Sequence, residues 1–372
     1  MKIAHVTKYF HPHRGGIESH VLGISEEFVA RGNDVLVFTS NKPESQRRED
    51  VEGITVLRSR VFFTLFNGPF APGIFADLMK EDYDLIHLHL PDPFNSVFAL
   101  AASKIRGKPL FVTYHADIIK DRWYHIPFKF AYWFFMYAVL SSAVRIFLTT
   151  PNYVAGSQIP NKHRRKVEIV HNFVDAERFN PELSGARIRK EYSLENKKMI
   201  LFLGRLVPYK GVEYLIKAYA KVKVSVKDAV LVIAGSGPLE DELKKMACDL
   251  KAEDALFVKA ADDEIPEYYA ACDVFVLPSV TRQEAFGIAL LEAMASGKPT
   301  ITTNISGMPY VVGDAGITVS PRDADALSSA IIAILSDQNL AKELGKKGRE
   351  RVEKEFRKEI VAEKILKAYH SY

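Results

Sequence analysis

Glu284 and Glu292 stand eight positions apart in Arg282-Gln-Glu-Ala-Phe-Gly-Ile-Ala-Leu-Leu-Glu-Ala-Met-Ala-Ser-Gly-Lys-Pro299, with Phe286-Gly287 soon after the first. The rest of the stretch is apolar and helix-prone, and Gly297-Lys298-Pro299 ends it. Read as helix, eight residues at about 1.5 Å each span roughly 12 Å. Two acceptor-only groups so placed could hold hydroxyl pairs at both ends of a nucleotide-sugar, with the diphosphate between. An isolated Glu pair is more often plain solvated surface, so the neighbouring motifs decide.

Cations for a diphosphate stand in Leu203-Gly-Arg-Leu-Val-Pro-Tyr-Lys-Gly211. A buried strand ends at Gly204, a loop follows, and a helix starts near Gly211. Arg205 and Lys210 would join the helix dipole in one anion site, as a forked donor and a point charge. Two surface cations on a loop would look the same, but ligands bind at the carboxyl ends of strands in such sheets. Gly235-Ser-Gly-Pro238 is a similar turn, explained by sterics or by a ligand. In Pro12-His-Arg-Gly-Gly-Ile-Glu-Ser-His20, the pair Gly15-Gly16 would let the backbone approach an anion, or would simply flex. This is not the G-x-G-x-x-G dinucleotide fingerprint, and no acidic residue closes the next strand, which disfavours a dehydrogenase.

Three further groups need weighing. His115, in Thr113-Tyr-His-Ala-Asp117, ends another strand; it is structural, bonds a sugar hydroxyl, or handles a proton. His87 and His89 share a strand face, but with no Cys, Asp or Glu at ligand spacing no metal site is read there. Asp323-Ala-Asp325 opens a helical run and is read as capping rather than as a metal-binding pair.

The elements that must position these groups alternate along the chain. Strands are expected at 2–7, 34–39, 84–89, 110–114, 199–204, 230–234, 255–258, 274–278 and 299–303. Helices are expected at 17–31, 211–224, 238–251 and after Phe286, with a Lys- and Glu-rich helical segment from about 338 to 372. Short apolar runs separated by helices of about 10–15 residues indicate parallel sheets, and two such series indicate two doubly wound α/β domains. The expected division is 1–175 and 176–353, with 354–372 a C-terminal helix that could pack back on the first domain. At 372 residues, 48% hydrophobic and 26% charged, the chain can bury two cores. A net charge of +4 does not indicate a nucleic-acid binder, and Cys248 and Cys272 make no disulfide framework. Met1-Lys-Ile-Ala-His-Val-Thr reads as a strand rather than a signal sequence, so a cytoplasmic protein is expected.

One segment stands apart. Trp123–Leu140 is strongly aromatic, with Lys120 and Arg122 before it, Lys129 within it and Arg145 after. Its uncharged run falls short of the ~20 residues that span a bilayer. A buried helix is one account; a helix lying in a membrane interface, with 120–145 against anionic headgroups, is the other. Arg58-Ser-Arg-Val-Phe-Phe-Thr-Leu-Phe66 has the same basic and aromatic character.

Taken together, Gly204-Arg205…Lys210-Gly211, Gly235-Ser-Gly-Pro238 and Glu284-Ala-Phe-Gly287 with Glu292 resemble the retaining glycosyltransferases of family four. These have the GT-B fold: two Rossmann-like domains facing each other across a cleft. The resemblance covers nearly the whole chain. It implies transfer of a hexosyl unit (mannose, glucose or N-acetylglucosamine) from a nucleotide-diphospho-sugar, such as GDP-mannose or a UDP-sugar, to a glycan or lipid-linked acceptor. No metal or cofactor is implied. Arg205 and Lys210 would bind the diphosphate, Glu284 with the backbone of Phe286, Gly287 and Ile288 the donor sugar, and Glu292 the ribose. Gly16 would sit against phosphates, Gly15, Gly204 and Gly235 would line the donor site, and His115 would contact the transferred sugar. Departures from the family pattern fall at Phe173, Lys259 and Tyr310, on the nucleobase and acceptor sides. A nucleotide-sugar epimerase on a similar scaffold is the alternative, and a catalytically silent binding module a third.

Overall fold

The computed structural model describes residues 1–13, 15–65, 68–117 and 126–372, with only the helical backbone for 126–131. Arg14, Phe66, Lys120, Arg122 and Trp123 lie outside the described residues, as does the Lys129 side chain. The chain forms two compact units, Met1–Asn172 with Lys358–Tyr372, and Phe173–Arg357.

In the first unit an eight-stranded sheet runs in the order Val167–Ile169, Arg145–Leu148, Leu110–Tyr114, Leu85–Leu90, Lys2–Thr7, Asp34–Ser40, Ile54–Ser59, Arg48–Val51. All neighbours are parallel except the last pair. Strands buried on both faces read as continuous apolar runs, and Leu85–Leu90 is buried at every position, its two histidines included. The strand Ile54–Ser59 was not expected from the sequence. It corrects the grouping of Arg58 with exposed basic residues: Arg58 is 2% exposed, its Nε donating to Glu49 Oε1 at 3.0 Å. Glu49 sits on the antiparallel edge strand beside it, and a buried guanidinium left without such a partner would be strongly destabilising. Phe62, Phe63 and Leu65, just beyond, are exposed.

The helix Ile126–Ser142 shows why composition could not separate core from interface. Tyr132, Met136, Val139 and Leu140 recur at helical spacing and are buried, whereas Phe134 is 71% exposed and Phe135 and Tyr137 are each 41% exposed. One face packs inward; the opposite face is apolar too. Among the described residues, no helix is long and apolar enough to cross a membrane. The last helix, Lys358–His370, lays Tyr369 in the first unit's core, its ring 4.7 Å from Phe111 and 5.9 Å from Phe28.

The second unit carries a six-stranded parallel sheet in the order Leu256–Val258, Ala229–Ala234, Lys198–Leu203, Val274–Leu277, Thr300–Thr303, Gly316–Val319. In chain order this is 3-2-1-4-5-6, so the connections reverse direction between Lys198–Leu203 and Val274–Leu277. Cys272 lies in the core at 1% exposure. Asp323 caps the helix Ala324–Ser336, accepting from the backbone N–H groups of Asp325 and Ala326 at 3.1 and 2.9 Å. That is the capping role read from Asp323-Ala-Asp325.

Candidate active site

Where a doubly wound sheet reverses direction, the loops at the carboxyl ends part and leave a crevice. In the second unit, Gly204-Arg205 follows one of the two strands at this point and Ser279–Gly287 the other. The loops are tied by the Val280 N–H, which donates to the Tyr209 carbonyl at 2.8 Å. Lys210 Nζ reaches Glu284 Oε2 at 2.5 Å, and Ser279 Oγ donates to the same oxygen at 3.2 Å. Both charged side chains are only 12% exposed. Burial alone would lower the Lys210 pKa, but the Glu284 carboxylate overrides it and holds the ammonium above its ordinary value. A Cβ placed on Gly204 would stand 3.7 Å from Lys210 Nζ, so the strand end and the ammonium are neighbours.

Gly204, Arg205, Gly235 and Ser236 line a pocket of about 240 Å³ with Leu203, Ala234, Ala260 and Ile265. Arg205 is exposed, and its guanidinium bonds to none of the described residues. Gly235 has φ 155°, and a Cβ there would lie 2.0 Å from the Gly204 carbonyl oxygen. Sterics therefore require this glycine, and it also lines the pocket: the two accounts of the turn hold together.

The helix spans Ile288–Ala295, after Phe286 as expected, so Glu284 lies in the loop before it and the helical rise of about 1.5 Å per residue does not measure the Glu284–Glu292 separation. The cause is Gly287, at φ 83°, where the chain turns left-handed before the first helical residue. No described residue accepts from the backbone N–H groups of Phe286, Gly287 or Ile288, which are the donors at the start of this helix. Glu292 is on the helix, half-buried, and accepts from the Tyr269 hydroxyl at 2.7 Å. Burial raises its pKa, partly offset by that hydrogen bond.

In the first unit, Gly15 and Gly16 begin the helix Gly16–Ala30 after the strand Lys2–Thr7. His115 is buried at the end of Leu110–Tyr114, and it has company that the sequence did not reveal. His89 Nδ1 and His115 Nε2 are 3.2 Å apart, and His5 Nδ1 and His89 Nε2 are 2.9 Å apart. The His20 ring meets the His115 ring edge-on with centroids 4.9 Å apart. His87 Nε2 bonds Thr113 Oγ1 at 2.7 Å, and its Nδ1 bonds the Tyr369 hydroxyl at 2.5 Å. His5, His87 and His89 bring ring nitrogens within 4.8 Å of one another. Both nitrogens of His87 and both of His89 are already hydrogen-bonded, which makes this a polar network before it is an ion site. Burial lowers the pKa of all five histidines, to about 3 for His5 and about 4 for His20. They are neutral at neutral pH. Only the pairing of parallel strands places His5 opposite His87, so nothing local in the sequence signalled it. Ser279 and Tyr269, which hold the two glutamates, were missed for the same reason.

The glycosyltransferase family 4 model matches residues 14–178, and the glycosyl transferases group 1 model matches residues 185–351. The N-acetyl-alpha-D-glucosaminyl L-malate synthase of Bacillus anthracis is 30% identical over 97% of this chain and 94% of its own length. The chain belongs to the group 1 glycosyltransferases. Another relative of this glycosyltransferase is the O-antigen chain mannosyltransferase C of Escherichia coli, 28% identical over 99% of this chain and 97% of that one. The crystal structure of Anabaena Alr3699/HepE in complex with UDP superposes with a TM-score of 0.81 at 20% identity, covering 100% of both chains. That likeness shows the fold, which is GT-B with two Rossmann-like units. The epimerase alternative finds no support among these relatives.

Proposed function

We propose that this glycosyltransferase moves a hexosyl unit from a nucleotide-diphospho-sugar to a glycan or lipid-linked acceptor, with retention of anomeric configuration and without a metal ion. The observation that carries the reading is the unengaged Arg205 guanidinium beside the pocket at Gly204 and Gly235, with the charged Lys210 next to it. Negative charge grows on the departing diphosphate as the glycosidic bond breaks, and cations already in place stabilise it without reorganising. Glu284 and the open N–H groups of Phe286, Gly287 and Ile288 are assigned to donor-sugar hydroxyls, and Glu292 to the ribose diol. Gly16 is assigned to the phosphates, Gly15 to the donor, and His115 to the transferred sugar. The leaving diphosphate would assist deprotonation of an acceptor attacking from the same face, which accounts for retention. The mannosyl transfer named for the Escherichia coli relative and the UDP held by the Anabaena protein support a hexose and a nucleoside diphosphate.

A peripheral place on an anionic membrane belongs to the same proposal, through the helix Ile126–Ser142. Beside the exposed Tyr137 stands a basic turn, Asn161–Lys166, with Lys162 Nζ 3.8 Å from the Tyr137 ring centroid. A thermal-shift panel of UDP, GDP, ADP and their sugars tests the donor. A ligand bound by the native state alone at 100 times its Kd adds about 2.7 kcal/mol of stability, so one base should raise Tm clearly above the others. No shift with any member would sink the nucleotide assignment.

A further inference from the structure

We infer that His5 and His89 hold His115 in a single neutral tautomer, with its proton on Nδ1, so that His115 offers a ligand a hydrogen-bond donor and not a base. The rings form one row: His5 Nδ1 to His89 Nε2 at 2.9 Å, then His89 Nδ1 to His115 Nε2 at 3.2 Å. A neutral imidazole carries one proton, so one ring nitrogen donates and the other accepts. The row can therefore run in two directions only.

In one direction His115 donates to His89 and His89 donates to His5. His5 must then keep its proton on Nε2, which is buried and has no partner. In the other direction His5 donates to His89 and His89 donates to His115. His5 Nε2 is then a bare lone pair, and the proton of His115 is on Nδ1. An orphaned buried N–H is the rarer and costlier defect, so the second direction prevails. The burial that keeps all three rings neutral leaves no spare proton to blur the choice. At the other end, His115 Nδ1 has no partner among the described residues but, unlike His5 Nε2, it is not fully enclosed, so an N–H there is left for solvent or a ligand. Its only lone pair is tied to His89. His5 and His89 thus act on the ligand through His115, as positioning residues two strands and one strand away from it.

The catalytic consequence rests on the transferase reading above, whereas the tautomer itself does not. Long-range proton–nitrogen correlation spectra of the full-length protein, labelled with nitrogen-15 histidine, distinguish a protonated ring nitrogen from a bare one without any substrate. The wild type should show His115 and His5 protonated on Nδ1. His5→Asn keeps an N–H donor at the Nδ1 position and should preserve both the tautomer and the turnover. His5→Asp puts an acceptor there; the row should reverse, move the His115 proton to Nε2 and lower kcat by at least ~10-fold, as a misplaced imidazole proton does elsewhere. His115 protonated on Nε2 in the wild type overturns the inference, as does a folded His5→Asp protein with the wild-type His115 spectrum. If His5→Asp does not fold, the wild-type and His5→Asn spectra still decide. Should no donor turn over at all, the transferase reading fails while the spectra continue to report the tautomer.

Discussion

Lys210 and Glu284 neutralise each other, and that pairing explains how two buried charges are tolerated side by side. Removing one partner strands the other, so a charge deletion here affects both folding and catalysis. Among the described residues Arg205 has no such partner, and it is the cleaner probe. Arg205→Ala and Lys210→Ala should each reduce turnover by at least ~100-fold through lost charge stabilisation of the leaving group, with Arg205→Ala leaving Tm unchanged. Near-normal rates in both variants would dismiss the diphosphate role. Glu292 behaves differently. Burial raises its pKa above the ordinary 4.5, so its contribution to stability is present below pH 4.5 and is lost as pH rises through the folded value. At neutral pH the ionised carboxylate is therefore a cost. Glu292→Gln should raise Tm at pH 7 but not at pH 4, while weakening nucleotide binding by about tenfold or more. A lower Tm at pH 7 would show that the Tyr269 hydrogen bond outweighs the burial of charge.

Between residue and domain, the loops after the strands do the positioning. Gly287 ends one loop so that the helix Ile288–Ala295 begins with open N–H groups, and Gly235 brings its loop against the Gly204 carbonyl. Each is a short element whose geometry a side chain would spoil. The helix Ile126–Ser142 is positioned by only one of its faces. Its exposed face carries Phe134, Phe135 and Tyr137, and the adjoining turn supplies Lys162, Arg164 and Arg165. Aromatic area beside several cations suits an anionic lipid surface. The protein should float with liposomes containing anionic lipid and not with neutral ones. Phe134→Ser with Phe135→Ser should weaken flotation without lowering Tm, because neither ring is buried. Absence of flotation with either lipid would return this face to plain surface.

For the molecule as a whole, the first unit places a network of neutral histidines in its core and closes it with the last helix. His87 is bonded by Tyr369, 282 residues further along the chain. The histidine pKa values are depressed by burial, to about 3 for His5 and about 4 for His20, against 6.5 in the unfolded chain. Depressed bases contribute stability that is fully present above pH 6.5 and is lost as pH falls toward those folded values, because the unfolded chain takes up the protons first. Thermal stability should therefore fall steeply between pH 7 and pH 4, and hydrogen exchange should locate the loss in residues 1–172 and 358–372. A Tm unchanged from pH 7 to pH 4.5 would mean that the histidines are solvated.

The sequence by itself determined the class of the fold and the charged residues of the candidate site. Period and length distinguish buried parallel strands from helices, and glycine, arginine and lysine at a strand end carry a local meaning. It also determined the capping role of Asp323, since a cap acts within a few residues of itself. Other features were decided only in three dimensions. The helical rise does not run from Glu284 to Glu292 because Gly287 turns the chain between them, and Arg58 became buried because Glu49 on a neighbouring strand could pair with it. Ser279, Tyr269 and the row His5–His89–His115 came together through strand order and packing. Propensity and capping are local, but register, burial and hydrogen-bond direction depend on residues that only folding makes neighbours.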